Sequence, residues 1–127
     1  MSTAEAPGRL HLGYRLDVGV AVVTVTGEVD LVTCRVLRDG LLRTVTDHNG
    51  HALVVNLAEV SFLDSTGLGV LVGVWHRVEA SGGRLALAAP SRQVQRALNT
   101  AGLAKALSVY DLEADAVQAC RVPDGPG

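Results

Sequence analysis

Aromatic side chains make up only 3% of the 127 residues, with one Trp, two Tyr and one Phe. That is too few for the base-stacking platforms of single-strand nucleic-acid binders. Positive charge is not in excess either: 11 basic residues stand against 13 acidic ones, so the electrostatic footprint of a phosphate-backbone binder is missing. Cys34 and Cys120 lie far apart with no CxxC spacing, which gives no support to a zinc or thioredoxin-like site and predicts two buried or half-buried thiols. No apolar run reaches the ~18 residues of a membrane span, and MSTAEAPGRLHLGYRL carries no apolar signal segment. These absences predict a cytoplasmic protein with no direct nucleic-acid contact and no membrane insertion.

What is present is a chain of one-domain size, 48% hydrophobic, able to bury a single core. A polar tail (residues 1–8) is expected to be disordered, residues 9–120 to form the domain, and RVPDGPG (121–127) to be a second disordered tail. Leu10, Leu12, Tyr14 and Leu16 alternate as in a half-buried strand, Asp17 to Gly19 turns, and Val20 to Val25 is a β-branched run. Gly27 is expected to end that strand. Val36, Leu37, Leu41 and Val45 recur at helical spacing, and HNG (48–50) is a stop signal. Ala52 to Leu57 is a continuous apolar run of the kind found in a central strand.

FLDSTGLG (62–69) follows, then a helix to about Ala80, a Gly82-Gly83 break, and a strand RLALAA (84–89). Ser91 can cap a helix through Val94, Ala97, Leu98 and Ala101 that Gly102 terminates; LSVYD is a short strand and LEADAVQAC a last helix. The fold class is α/β, a mixed, mainly parallel sheet carrying helices, with no repeat and no linker.

Within FLDSTGLG, either Asp64 or Ser65 can be the N-cap of the second helix. Capping does not account for the helix itself, whose Leu68, Val70, Leu71, Val72, Val74, Trp75 and Val78 spread around nearly the whole circumference. As a serine nucleophile Ser65 has no base on its own helix, since His76 lies ~16 Å along it; His11, His48 and His51 remain, the last two bracketing an Asn-Gly turn where an exposed His is ordinary. The G-x-S-x-G elbow is also absent. An aspartic-protease site requires the glycine one residue earlier and a second carboxylate. Gly67-x-Gly69 is too short for a phosphate loop and no Lys follows it, so no cofactor is expected and no catalytic or metal-ligating residue is assigned. A serine at a helix start is, however, a natural place for a reversible charge, because a phosphate adds about −1.5 to −2 at pH 7.

GEVDLVT (27–33), VVNLAEVSFLDSTGLGVLVG (54–73) and PSRQVQRALNTAGL (90–103) resemble, in this order, the STAS domain and specifically bacterial anti-sigma-factor antagonists. The resemblance spans about residues 12–118. It implies that Ser65 is phosphorylated by a partner that is both anti-sigma factor and serine kinase. The unmodified form then binds that partner and frees a sigma factor, and a PP2C-type phosphatase restores it. It further implies a partner-binding surface of Asp30, Asp64, Thr66, Gly67 and Leu68, with Asp30 equally readable as the cap of the first helix. Thr66 stands where many relatives have a second serine, and Arg92 where a proline is common; neither departure touches the switch. The alternatives are a STAS scaffold without a phosphoryl cycle, serving a lipid-transport or stress-signalling assembly, and a small hydrolase using Asp64 or Ser65.

Overall fold

The computed structural model describes residues 5–6, 9–47 and 52–121. Six strands form one sheet in sequential order: β1 (Glu5–Ala6), β2 (Leu10–Asp17), β3 (Val20–Val29), β4 (Ala52–Leu63), β5 (Arg84–Ala88) and β6 (Ser108–Tyr110). β1–β2 and β2–β3 pair antiparallel, while β3–β4, β4–β5 and β5–β6 pair parallel. The expected mixed, mainly parallel sheet is therefore observed. Glu5–Ala6 fall inside the segment expected to be a tail yet form a short strand against β2. The rest of residues 1–8, the HNG stop and nearly all of the C-terminal tail lie outside the described residues.

Three helices connect the parallel strands: α1 (Cys34–Asp47), α2 (Ser65–Ala80) and α3 (Arg92–Thr100). Because each connection steps to the next strand in the same direction, right-handed crossovers place all three on one face. Their Leu37, Leu41, Leu71, Val74, Val78, Val94 and Leu98 meet Val23, Val25, Leu53, Val55 and Leu87 in the main core. Among the described residues the opposite face carries only α4 (Glu113–Cys120), over Val20, Val22, Val54 and Ala86. The continuous apolar run of β4 divides between the two faces by alternation, Leu53, Val55 and Leu57 to one and Ala52 and Val54 to the other. Asn56, next on the α4 side, is polar because it receives α4: its Nδ2 donates to Glu113 Oε1 at 2.8 Å, and Arg15 pairs with the same carboxylate. That Arg15 contact is the main reason the Glu113 carboxyl is held below its ordinary range.

Both thiols are unpaired, Cys34 half-buried and Cys120 buried. Burial pushes the Cys120 thiol up to about 11, so at neutral pH it is a packing group, not a thiolate.

Two strands outrun their expected ends. β3 continues through Gly27 to Val29, and β4 continues past Leu57 to Leu63. The reason is a pair of register shifts in β4, since Thr24 faces Asn56 but Thr26 faces Glu59, and Gly27 faces Val60 but Glu28 faces Phe62. Each shift inserts an extra residue and resets which side chains point inward. Leu57, Val60 and Leu63 thus all enter the main core at a spacing of three that no strand periodicity predicts. Gly27 does not stop its strand. It sits at φ +121, and a Cβ there would lie 1.8 Å from the Arg9 carbonyl oxygen; only glycine allows that approach.

Candidate functional site

The extended ends of β3 and β4 bring two turns side by side. Val29 faces Leu63, and the Asp64 amide donates to the Val29 carbonyl at 3.1 Å. This bond continues the strand by one residue and holds Asp64 extended, at φ −103 and ψ −170, which is the backbone an N-cap requires. Of the two candidate caps, the structure therefore selects Asp64. Its Oδ1 accepts from the amides of Thr66 (3.0 Å) and Gly67 (3.2 Å) and from the Thr66 hydroxyl. Ser65 becomes the first helical residue, and its side chain is exposed.

Beneath Ser65 the helix is pressed on the sheet. A Cβ on Gly67 would stand 2.7 Å from Val29 Cγ1 and 3.0 Å from Leu63 Cγ, so the glycine of D-S-T-G is a close-packing residue. Leu68 retains 9% exposure. Of the residues expected on the binding surface, Asp30, Asp64 and Thr66 are half-buried, while Gly67 and Leu68 are buried. These two lie beneath the exposed layer. The apolar circumference of α2 is accounted for in part by this burial; Gly69 and Gly73 lie outward, with Val70, Val72 and Trp75 partly covered.

The neighbouring turn begins at Asp30. Its Oδ1 accepts from the amides of Val32 and Thr33 at 3.0 and 3.1 Å, while the Thr33 hydroxyl accepts from the Asp30 amide at 3.0 Å. Asp30 thus caps the turn into α1. Its Oδ2 pairs with Arg9, which also reaches Glu28 at 3.0 Å. The close approach at Gly27 makes this possible: the Glu28 amide donates to the Arg9 carbonyl at 2.8 Å and brings Arg9 over both acids. Loss of hydration pushes the Asp30 carboxyl upward, but the Thr33 and Val32 amides and the Arg9 charge outweigh it, and the group sits below its ordinary value.

Sequence reasoning missed several groups at this end of the sheet. Leu31 and Val32, 75% and 71% exposed, project from the Asp30 turn, and Phe62, 42% exposed, is the penultimate residue of β4, opposite Glu28. An adjacent apolar pair inside a turn and the single Phe next to the motif were the available signals. On the other side of Ser65 lies an open groove of about 370 Å3 lined by Asp64, Ser65, Leu68, Gln93, Arg96 and Ala97 among others. Among the described residues no histidine lines it, so none of them gives Ser65 Oγ an imidazole base within the groove. Among the described residues no group of three or more His, Cys, Asp or Glu could hold a metal, and no helix is long and apolar enough to cross a membrane.

The family model for the STAS domain matches residues 14–116. The chain is 32% identical over 117 residues to the anti-sigma-F factor antagonist RsfB of Mycobacterium tuberculosis, covering 92% of this chain and 94% of that protein. It is 31% identical over 99 residues to the anti-sigma F factor antagonist of Paenibacillus polymyxa, covering 78% and 85%. Among solved structures, an anti-sigma factor antagonist from Mycobacterium paratuberculosis superposes with a TM-score of 0.81 at 30% identity, covering 93% of this chain and 99% of that one.

Proposed function

The chain belongs to the STAS-domain family, and from that premise we propose that it is a cytoplasmic anti-sigma-factor antagonist, a phosphorylation-switched binding module and not an enzyme. Unmodified, it docks on a partner that is both anti-sigma factor and serine kinase, and so frees a sigma factor. The kinase moves the γ-phosphoryl group of ATP onto Ser65 Oγ; the β–γ bridging P–O bond breaks, and ADP and a proton leave. The modified form releases the partner. A PP2C-type phosphatase hydrolyses the phosphoester and regenerates Ser65.

The observation that carries this reading is the position of Ser65, an exposed hydroxyl at the first residue of α2, relieved of capping by Asp64. Around it Asp30, Asp64 and Thr66 offer polar contacts, and Leu31, Val32 and Phe62 supply apolar area to bury. A phosphate at this point has little leverage on the fold. The helix N-terminus favours an anion by ~0.3–1 kcal/mol when exposed, and the adjacent Asp64 opposes it. Against a partner the same dianion loses hydration without gaining a counter-charge.

The test is mass spectrometry after incubation with the cognate kinase and ATP: phosphate should appear on Ser65, and Ser65→Ala should abolish incorporation while preserving binding. Phosphate on Ser91 or Ser108 instead would overturn the assignment. The phosphorylated protein should keep its circular dichroism spectrum and melt within a few degrees of the unmodified form, while partner affinity falls at least ~tenfold. Replacing Leu31 and Val32 together by Ser should weaken partner binding by ~1–3 kcal/mol by calorimetry without altering the fold, since both side chains are exposed.

A further inference from the structure

Arg96 faces the same groove as Ser65 and has no part in the reading above. It is exposed on α3 and has no hydrogen-bond or ion-pair partner among the described residues. Its element is nevertheless firmly placed. Ser91 Oγ donates to the Val60 carbonyl at 2.7 Å. Gln93 grips the residue just before Asp64: its Oε1 accepts from the Leu63 amide at 2.9 Å and its Nε2 donates to the Leu63 carbonyl at 3.2 Å. Gln93, Arg96, Ala97 and Thr100 fall at i, i+3, i+4 and i+7 on one face of α3. Fastening Gln93 to Leu63 therefore turns Arg96 toward the groove that Asp64, Ser65 and Leu68 bound from the other side. Among the described residues Asp64 is the one acid lining that groove, and its side-chain hydrogen bonds run into its own helix turn.

We propose that Arg96 is the internal receptor for a phosphate on Ser65, its guanidinium pairing with the phosphoester dianion and drawing it into the groove between α2 and α3. The inference rests on phosphorylation of Ser65 as proposed above. An arginine suits this role because its planar fork donates two parallel N–H bonds to phosphate oxygens. Asp64 repels the dianion from the capped side while Arg96 attracts it toward α3. The modified side chain then fills a space that the unmodified protein leaves open to a partner, and the surface changes while the helices stay in place.

The experiment uses the full chain with phosphoserine installed at position 65 during translation, in the wild type, Arg96→Gln and Arg96→Lys. The readout is the second ionisation of the phosphate, followed by 31P NMR. Its midpoint should lie ~0.3–0.5 pH units lower in the wild type than in Arg96→Gln, with Lys recovering part of the difference. The backbone amide signals of Ala97 and Thr100 should respond to the phosphate in the wild type and not in Arg96→Gln. Equal midpoints in the wild type and Arg96→Gln would overturn the role of Arg96 and leave Ser65 standing as a phosphorylation site. A clear midpoint difference together with no kinase labelling of Ser65 would support the pairing and overturn the proposed switch instead.

Discussion

Two aspartates open adjacent turns at one end of the sheet, and the fold uses them differently. Asp30 has both carboxylate oxygens engaged, Oδ1 by the amides of Val32 and Thr33 and Oδ2 by Arg9 from a distant part of the chain. Asp64 makes all its side-chain bonds through Oδ1, and all to the two residues beyond Ser65. The first turn's carboxylate is stapled to a distant residue; the second's stays within its own helix, while its backbone is tied to Val29 and, one layer down, Gly67 packs on the sheet. The proposed phosphorylation site lies in the second kind of turn, where the anchoring lies beneath it, and the first supplies a fixed rim for the proposed partner.

The sharpest challenge to this contrast is Gly67→Val. If packing under the second turn is what anchors α2, the added carbons, forced against Val29 and Leu63, should cost about 1–3 kcal/mol in a urea melt. A neutral result would mean that α2 can shift off the sheet freely. Asp64→Ala removes the cap and should cost about 1 kcal/mol. Ser65→Ala should stay within about 0.5 kcal/mol, as an exposed position that caps nothing. Equal costs at 64 and 65 would erase the division of labour between the cap and the proposed switch residue.

The smallest effect is expected at the stapled turn and only in acid. The Asp30 carboxyl is lowered in the folded state. Its contribution is therefore fully present above the unfolded value near ~3.9 and lost as pH falls through the lower folded value. Asp30→Asn, which keeps an acceptor for the cap, should match the wild type's pH dependence of stability above about pH 5 and show a shallower loss below about pH 4. Superimposable acid limbs in denaturant melts at several pH values would show that the Asp30 charge, favoured by the Thr33 amide, Arg9 and the Val32 amide, does not stabilise the turn.

Much of this architecture could be read locally. Alternation placed β2, a β-branched run most of β3 and an apolar run the first half of β4; helical spacing placed α1 and α3, the Gly82-Gly83 stop bounded α2, and Ser91 was legible as the cap it forms. The D-S-T-G stretch with its flanking motifs pointed to Ser65 by resemblance, while the residues alone left the cap undecided between positions 64 and 65. Tertiary structure made that choice: the bond from the Asp64 amide to Val29 extends Asp64, so that helix begins at Ser65. It also decided that β4 runs on to Leu63, because two register shifts break the alternation a strand would otherwise show. Gly67 proved to be a packing residue, and Arg9 and Arg96 emerged beside the two turns, for a common reason. Their neighbours lie far away in sequence, and periodicity reports only which side of its own element a residue occupies, not what the fold brings against it.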